Sequence, residues 1–330
     1  MPLIDSPRLT DADRQVWARY EHYDTALAQD PHLDRLADRA RKEIRQFAAA
    51  GPCFAAISWG RDSTVVAFLV ATADVDIPLV WAVADRGENP DSPAVRDAFL
   101  DAFPHVSYHE VLYVRRSPLR GESHPPLTGP GVGMSETLAA RYGSRRITGV
   151  RAAESGQRRI SAAVHGLATD VSCRPILRWS HQQVFAALTR WDLPIHPAYA
   201  MTCGGAFERD SLQVHSIGGR SGDPQQRARW EQAYYPDVIA AALEAGPRTP
   251  MTSLEDRVLA VLATSASRRR WASVVAADVG APLAEVQAVL DRLEREGRVL
   301  SRSRAGQTRY WRTASAPSEP ASEPAAERLF

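Results

Sequence analysis

The chain has 330 residues, of which 44% are hydrophobic and 24% charged, and its formal net charge is +1. This balance is typical of a globular protein with a sizeable core, and it excludes a strongly basic or acidic field over the whole molecule. Three cysteines are too few for a disulfide framework or a four-cysteine iron–sulfur cluster. Because the sequence shows no leader peptide and no apolar run near the ~18 residues of a membrane span, we expect a cytoplasmic protein with no membrane partner.

The first segment, residues 1–49, is charged and rich in alanine. Its apolar residues recur at helical spacing from position 10 onward, and Asp30-Pro31 interrupts the pattern. We therefore predict two helices that pack one face on the main domain.

Residues 50–248 alternate short apolar runs with helical stretches. The predicted strands are Phe54–Ile57, Ile77–Asp85, Val106–Val114 and Arg145–Val150. Strands that alternate with helices indicate an α/β fold with a doubly wound, mostly parallel sheet of the Rossmann-like kind. Such sheets bind ligands beyond the carboxyl ends of their strands, which is where Ser58, Asp85 and Gly149 fall.

The second half of this domain carries a further helix and a glycine-rich stretch. Residues 174–199 are predicted to start extended and then to form a helix capped by Ser180. Residues 203–223 are predicted to be a mobile loop over the site. Residues 224–246 predict one helix, and Gly246-Pro247 with Thr249-Pro250 marks a boundary.

Residues 251–313 are predicted to form a small separate domain. Three helices, the second opened by Arg268–Arg270, and a hairpin that turns at Ala305-Gly306 resemble a winged helix-turn-helix. Eleven arginines oppose seven acidic residues in this module, so DNA is its candidate partner through phosphate contacts, with a protein–protein role as the alternative. Residues 314–330 have the composition of a disordered tail.

The turn from Ser58 to Thr64 joins the first predicted strand to a helix. Gly60 allows close approach of a ligand to the backbone, and Arg61 carries a guanidinium suited to phosphate. Ser63 and Thr64 offer hydroxyl groups that either cap the helix or contact phosphate. Backbone N–H groups at such a helix start attract anions, although the spacing is not that of a Walker A loop.

Three stretches resemble, in family order over about residues 50–205, the PP-loop ATP pyrophosphatases and their phosphoadenosine-phosphosulfate-reductase-like branch. Ser58–Ser63 is similar to Ser-Gly-Gly-x-Asp-Ser, and Ile147–Arg159 is similar to Gly-x-Arg-x-x-Glu-Ser…Arg. Arg174–Tyr199 is similar to Pro-(Ile/Leu)-x-x-Trp-(Ser/Thr)-x-x-x-Val-(Trp/Phe)…Leu-Pro…(Leu/Ala)-Tyr. The resemblance implies a fold of the HUP type (adenine nucleotide alpha hydrolase-like), with ATP and Mg²⁺ as cofactors and ATP cleavage between the α- and β-phosphates.

The resemblance also implies functional residues. Catalytic roles fall on Arg61, Asp62 and Arg151. The implied nucleotide-binding residues are Ser58, Gly60, Arg61, Asp62, Ser63, Thr64, Asp85, Gly149, Arg151, Glu154 and Arg158. Simpler interpretations stay open for three of them: Glu154 paired with Arg158 along a helix, and Asp85 as a turn former. Arg159 is predicted to be a solvated residue, and the histidines and cysteines lack the spacing of a protein-held metal site.

Two departures from the family pattern qualify the predicted activity. Trp59 replaces the first loop glycine, which requires a negative φ and favours a packing role over stacking on a base. Cysteines are absent after Cys203, although sulfonucleotide reductases need a C-terminal one. Cys173 and Cys203 are candidates for a thiol relay in sulfur transfer, and inert small residues otherwise.

The expected function is therefore ATP-dependent adenylation of an acceptor with release of pyrophosphate, in sulfur transfer or in DNA modification of the phosphorothioation type. Its candidate partners are ATP, a sulfur donor protein of the cysteine desulfurase type, and DNA, and a homodimer is a candidate assembly. Two alternatives are a sulfonucleotide reductase and an inactive, nucleotide-sensing DNA-binding regulator.

Overall fold

The computed structural model describes residues 3–128, 131–214, 216–219, 224–246, 254–263, 270–304 and 307–312. Contacts between Cα atoms divide the chain into two compact units, Met1–Met251 and Thr252–Phe330. The helices of the first unit are α1 (Asp11–Leu27), α2 (His32–Ala49), α3 (Arg61–Ala71), α4 (Ser92–Ala102), α5 (Met134–Tyr142), α6 (Gly156–His165), α7 (His181–Arg190), α8 (Pro224–Tyr234) and α9 (Pro236–Glu244). Its strands are β1 (Phe54–Ile57), β2 (Leu79–Ala84), β3 (Tyr108–Tyr113), β4 (Arg146–Ile147) and β5 (Ser172–Cys173).

The five strands of the first unit form one parallel sheet in the order β3-β2-β1-β4-β5. Within this register Ala55 of β1 lies between Leu79 of β2 and Ile147 of β4. The chain order reverses at β1, so the crevice beyond the ends of β1 and β4 is the topological switch point where such sheets bind ligands. The predicted doubly wound α/β fold is confirmed.

Apolar side chains cover both faces of this sheet, because neighbouring residues of a strand point to opposite sides. On one face Phe54, Val80 and Val111 pack against Leu138 of α5. The other face belongs to the main hydrophobic core, which includes buried residues of α2, α3 and α7. The sheet is therefore a rigid support for the loops that follow its strands.

The N-terminal helices pack on this core. Thr10 starts α1 with a capping box to Asp13, and the break predicted near Asp30-Pro31 separates α1 from α2. The buried residues of α2 are spaced by three or four positions, as a helix with one apolar face requires: Leu33, Ala37, Ala40, Ile44 and Phe47. From α1, the Trp17 ring lies 6.4 Å from that of Phe185 in α7.

Several predicted elements differ from those observed. Helices α5 and α6 and strand β5 were not predicted: the apolar spacing of α5 is weak, α6 buries none of its residues, and β5 has only two residues. The fourth strand is confined to Arg146–Ile147, and the predicted extended start at Arg174 is a turn. The helix predicted over residues 224–246 is two helices, because Pro236 lacks an N–H and begins α9 instead of continuing α8.

The second unit contains α10 (Leu254–Ala263), β6 (Arg270–Trp271), α11 (Ala272–Val279), α12 (Leu283–Arg295), β7 (Val299–Arg304) and β8 (Gln307–Arg312). Its antiparallel sheet has the order β6-β8-β7 over a core that includes Val275, Leu290 and Tyr310. Arg270 lies in a strand and not at the start of a helix. The predicted turn at Ala305-Gly306 and the tail lie outside the described residues, and the winged helix-turn-helix stays a prediction.

Within the described ranges, no single helix has the length and apolar character to cross a membrane. Helices α11 and α12 meet that test only as a pair, which is bent by 113°.

Candidate functional site

Hydrogen bonds made by Ser58 and Ser63 hold the loop between β1 and α3 together. The Ser58 backbone N–H donates to Ser63 Oγ over 3.2 Å, and Ser63 Oγ donates to the Gly60 carbonyl oxygen over 3.0 Å. Gly60 is extended, with φ −80°, and is the N-cap of α3. These bonds hold residues 58–63 as one compact turn at the carboxyl end of β1.

Trp59 has a φ of +58°, so the predicted negative φ is wrong. The indole is fully buried, and its centroid lies 5.6 Å from the Phe99 ring and 5.7 Å from the Tyr108 ring. The packing role predicted for Trp59 is confirmed. Burial of a large aromatic side chain offsets the cost of a left-handed backbone, which is about 1–2 kcal/mol for a residue with a Cβ.

This backbone conformation predicts an unusual order of stability for two truncations. Both Trp59→Ala and Trp59→Gly leave a cavity, but we expect the glycine variant to be the more stable by about 1 kcal/mol, because glycine adopts positive φ without strain. Urea unfolding measures the difference. In the control, Ala67→Gly within buried α3, glycine should instead cost about 1 kcal/mol. An alanine variant at Trp59 that is as stable as the glycine variant would contradict the prediction.

Two glycines let separate segments meet at the first turn of α3. A Cβ at Gly149 would lie 2.9 Å from the Asp62 carbonyl carbon and 3.1 Å from the Ser63 nitrogen. A Cβ at Gly60 would lie 2.9 Å from the Tyr199 hydroxyl oxygen. The turn after β4 and the segment after α7 therefore touch the loop only because these positions lack side chains.

Several polar groups at this helix start have no protein partner. The Arg61 N–H is the exception, because it donates to the Tyr199 hydroxyl over 3.0 Å. Among the described residues, the structure records no acceptor for the backbone N–H groups of Gly60, Asp62 and Ser63. The buried Thr64 Oγ1 also lacks a hydrogen-bond partner. Three free N–H groups, one free hydroxyl and the positive end of the helix dipole make this turn suited to an anion.

Arg151 joins the two loops electrostatically. Its side chain is fully buried, with Nε 2.5 Å from Asp62 Oδ1 and Nη2 3.5 Å from Oδ2. Nη1 donates to the Trp179 carbonyl oxygen over 3.3 Å. Arg151 and Asp62, two residues assigned to the site by resemblance, thus form an ion pair across the switch point, and their catalytic roles stay predictions.

Arg61 points away from the loop and into the protein. Its Nη1 donates to the Arg209 carbonyl oxygen over 3.2 Å, and Nη2 donates to the Asp210 carbonyl oxygen over 2.9 Å. The guanidinium lies over the rings of Phe185 and Tyr199 at 5.3 and 5.0 Å. In this structure backbone carbonyl groups of the protein bind the Arg61 guanidinium, which the sequence analysis assigned to phosphate. The role of Arg61 in phosphate binding stays a prediction.

His181 lies between the two arginines. Its Nδ1 is 3.1 Å from Arg61 Nη2 and 3.2 Å from Arg151 Nη2. Burial, followed by repulsion from Arg151 and Arg61, lowers the pKa of the imidazole, while Asp210 and Asp62 oppose the shift. The ring is therefore neutral at pH 7 and binds both guanidinium groups.

The remaining predicted site residues have local partners. Asp85 Oδ1 accepts the Arg115 N–H over 3.0 Å, while its buried Oδ2 has no hydrogen-bond partner. Glu154 accepts the Arg151 N–H over 2.8 Å and pairs with Arg158 four residues on, as the simpler interpretation had it. Arg159 is exposed.

Residues 207–214 and 216–219 lie over the carboxyl edge of the sheet. Val214 is buried beside Gly60, and its carbonyl oxygen accepts from Asn89 Nδ2 over 3.4 Å. The Ile217 N–H donates to the Gly87 carbonyl oxygen, and a Cβ at Gly87 would lie 2.5 Å from the Ile217 carbonyl oxygen. The described part of the segment predicted over residues 203–223 thus contacts the turns after β1 and β2 and places apolar side chains in the core; residues 215 and 220–223 lie outside the described residues, and the mobility of the loop stays a prediction.

Arg209 ties this segment to the N-terminal helix. Its guanidinium forms two hydrogen bonds to the buried Asp24 carboxylate, at 2.6 and 2.7 Å. It also lies 3.9 Å from the Phe185 ring centroid and 4.2 Å from that of Tyr20. The carbonyl group that holds Arg61 is therefore itself held by α1 and α7.

The two candidate thiols differ in environment. Cys173 is fully buried in β5, and burial raises the pKa of its thiol to about 12, so it is not a thiolate at neutral pH. Cys203 is exposed with a φ of +50°, and its N–H donates to the Tyr234 hydroxyl over 2.7 Å. Neither makes a recorded contact with residues 58–64.

Other candidate sites lie apart from this one or outside the described residues. In the part of the chain that the structure describes, no group of three or more His, Cys, Asp or Glu side chains could hold a metal ion. His215, one of the histidines considered as a ligand, lies outside that part. A cavity of about 570 Å³, lined by residues that include Thr25, Asp34 and Arg190, contains none of the predicted site residues.

Sequence reasoning missed three residues that organise the site. His181 was weighed only as a metal ligand, Tyr199 only as the end of a motif, and Arg209 not at all. His181 and Tyr199 reach the loop from more than 100 positions along the chain. For His181 and Tyr199, the one signal in the sequence was the resemblance of Arg174–Tyr199 to the family motif.

No protein-family model matches the chain, and no curated protein matches it in sequence. Three solved structures that resemble it are the U34-tRNA thiolase NcsA from Methanococcus maripaludis, NMN synthetase from Francisella tularensis and the NH3-dependent NAD synthetase from Campylobacter jejuni. Their identities are 11%, 11% and 12%, and their TM-scores are 0.35, 0.34 and 0.31. Each match covers 67% of this chain, and 83%, 97% and 97% of the other chain, respectively. Likenesses this distant carry no argument about function.

Proposed function

We propose that this chain is an ATP-dependent enzyme of the PP-loop type, which cleaves ATP to AMP and pyrophosphate and adenylates an acceptor. One observation carries the proposal: at the switch point, Gly149 lies against the first turn of α3 while Arg151 pairs with Asp62. Two of the three motifs that resemble the PP-loop family therefore meet in space at the edge where such sheets bind ligands.

The polar groups without partners suit the phosphate chain of a nucleotide. The N–H groups of Gly60, Asp62 and Ser63 and the Thr64 hydroxyl would bind its oxygens, and the α3 dipole would favour their negative charge. Arg151 would add a cation beside them. These groups bind and orient the phosphates, and they stabilise the charge that develops on the phosphate oxygens.

In the proposed reaction an acceptor oxygen forms a bond to the α-phosphorus of ATP. The bond from that phosphorus to the αβ-bridging oxygen breaks, and pyrophosphate leaves with the electron pair. Mg²⁺, when bound with ATP, neutralises charge on the phosphate oxygens. Mg²⁺ sites often need only one or two protein carboxylates, and the buried Asp85 Oδ2, which has no hydrogen-bond partner, would be such a ligand at this edge.

The environments of the cysteines disfavour a reductase, and this narrows the class of reaction proposed. A reductase needs a reactive cysteine at the site: the buried Cys173 thiol, with a pKa of about 12, does not meet that need, and the exposed Cys203 makes no recorded contact with residues 58–64. Adenylation in a sulfur-transfer or DNA-modification pathway is the proposal that is left. A cysteine desulfurase-type donor, DNA bound through residues 251–313 and a homodimer are its proposed partners and assembly.

A second candidate function is a nucleotide sensor without catalysis. It is favoured by the way Arg61 is held: Tyr199 binds its N–H, and the Arg209 and Asp210 carbonyl groups bind its two Nη atoms, although its buried Nε has no hydrogen-bond partner. A guanidinium held in this way is not free to move toward the negative charge that develops on a reacting phosphate.

Calorimetric titration with Mg·ATP, and a pyrophosphate-release assay with and without DNA and sulfide, separate the two candidates. The enzyme should bind Mg·ATP and release pyrophosphate, with Mg·GTP as the control for base selectivity. Binding without release under every condition would favour the sensor. A chain that binds no adenine nucleotide would contradict both.

The contact at Gly149 predicts a steric effect on nucleotide binding. Gly149→Ala places a methyl group 2.9 Å from the Asp62 backbone, so the turn must shift away from α3. We expect affinity for Mg·ATP to fall at least tenfold and stability to fall by about 1–3 kcal/mol. Gly156→Ala is the matched control, because a Cβ there meets only the flexible end of Arg159 at 3.7 Å. Equal affinities of the two variants would remove Gly149 from the site.

A further inference from the structure

His181 has a fixed place at the start of α7. Ser180 caps this helix, accepting the Gln183 N–H over 3.1 Å, while the Gln183 side chain accepts the Ser180 N–H over 2.8 Å. The imidazole is thereby presented from a helix that packs on α3, next to the loop. The imidazole is attached through a short side chain, so the capped start of the helix fixes its position.

The hydrogen bonds of His181 assign its tautomer. A guanidinium has only donors, so the Nδ1 atom that lies 3.1 and 3.2 Å from the two Nη2 atoms must accept with its lone pair. The ring proton is therefore on Nε2. One neutral lone pair holds together two like-charged side chains, Arg61 and Arg151.

Charged groups on three other segments surround this nitrogen. Arg61 and Asp62 belong to α3, and Arg151 follows β4. Asp210, from the segment over the site, has Oδ1 3.9 Å from His181 Nδ1. The only nitrogen of His181 that can gain a proton is Nδ1, so protonation would remove both acceptor bonds and place a third positive charge between the arginines.

We propose that His181 is a positioning residue for nucleotide binding: its neutral Nδ1 holds the Arg151 guanidinium in place for the phosphates by tying it to the buried Arg61 guanidinium. The inference rests on the proposed function, because that function gives Arg151 a ligand. Protonation of His181 disperses the arginines, and the affinity for Mg·ATP falls as the pH falls below neutrality.

A direct phosphate contact by His181 would have the opposite pH dependence. A protonated imidazole is attracted to phosphate, so binding would then strengthen with acid. The sign of the pH effect thus separates a residue that acts through the arginines from one that touches the ligand.

Three proteins test the role: wild type, His181→Asn and His181→Leu. The asparagine carbonyl can accept from the arginines and does not titrate, whereas leucine can do neither. We expect the asparagine variant to bind Mg·ATP within threefold of wild type at pH 7.5, and the leucine variant to bind at least tenfold more weakly. Once the pH lies below the lowered pKa of the imidazole, the affinity of wild type relative to the asparagine variant should fall at least threefold. ATP's own titration is common to both and cancels.

Calorimetry with Mg·ATP and with inorganic pyrophosphate, with circular dichroism to verify folding, gives these affinities. Nitrogen-15 NMR of the imidazole adds a readout that needs no nucleotide, and should show the Nε2–H tautomer at pH 7.5. Wild-type affinity in folded His181→Leu, relative affinity that rises in acid, or an Nδ1–H tautomer would each overturn the positioning role. Failure of wild type to bind either ligand at any pH, with the Nε2–H tautomer present, would instead overturn the proposed function.

Discussion

Replacing Arg151 with methionine is expected to weaken Mg·ATP binding at least 100-fold and to lower the free energy of unfolding by about 3 kcal/mol. Methionine fills much of the space of the arginine stem but leaves Asp62 without its partner, and removing one member of a buried ion pair costs about 3–5 kcal/mol. The figure is set at the lower end because the Asp62 side chain is 18% exposed. The loss of affinity follows from the loss of the cation between the two loops.

Two further variants separate stability from binding. In Arg151→Met/Asp62→Asn the unpaired charge is gone, so stability should recover by 1 kcal/mol or more, on the order of the charged-group penalty, while affinity stays low. Arg190→Met is the matched control, since it removes an arginine paired with Asp34 and bonded to the Ala28 carbonyl oxygen, away from the loop. Calorimetry and urea unfolding measure both quantities. Undiminished affinity in Arg151→Met would remove the central residue of the proposed site.

Acid is expected to destabilise the first unit through His196. This imidazole is fully buried, with Nδ1 accepting the Ala198 N–H over 3.1 Å and Nε2 lying 3.3 Å from Ser92 Oγ. Burial lowers its pKa to about 3 from the ordinary 6.5. Between these values the unfolded chain binds the proton and the folded chain does not, so stability falls as pH falls. The limiting slope is about 1.4 kcal/mol per pH unit, or about 2 kcal/mol lost by pH 5.

His196→Asn should flatten this acid slope. The asparagine oxygen can replace Nδ1 as acceptor and does not titrate. The difference between wild type and His196→Asn over pH 7.5 to 5 isolates the effect, because His181, whose pKa is also lowered, is common to both proteins, and carboxyl groups such as Glu122 and Asp237, with pKa values of about 2, reduce stability mainly in stronger acid. His22→Asn, on the exposed face of α1, is the control and should leave the slope unchanged. An unchanged slope in His196→Asn would contradict the buried neutral state.

The sequence predicted which strand ends meet at this edge of the sheet better than it predicted the contacts between their side chains. Gly60, Asp62, Gly149 and Arg151 were predicted from strand ends and motif resemblance, and parallel strands bring such ends to one edge. The direction of the Arg61 side chain could not be predicted in this way. It depends on the Arg209 and Asp210 carbonyl groups, nearly 150 positions away.

Trp59 shows, within a single residue, the same difference between what the sequence predicts and what tertiary contacts decide. Its apolar character predicted packing, which depends on composition and burial. Its positive φ was missed, because steric preference for negative φ is a local rule that tertiary packing against Phe99 and Tyr108 overrides. Helix α6 gives a further example: Ile160 and Val164 recur at helical spacing, but they are exposed and none of its described residues is buried, so its place on the surface follows from the tertiary structure.

By itself, the sequence determined the strand–loop–helix unit around Gly60 and the doubly wound sheet, because hydrophobic period and turn residues act over short distances. Only the tertiary structure decided that His181 holds two arginines, that Tyr199 binds the Arg61 N–H and that Asp24 anchors the segment over the site. Those contacts join residues more than 100 positions apart, except for that of His181 with Arg151. They depend on the direction of buried side chains, which folding fixes through packing and the pairing of buried charges.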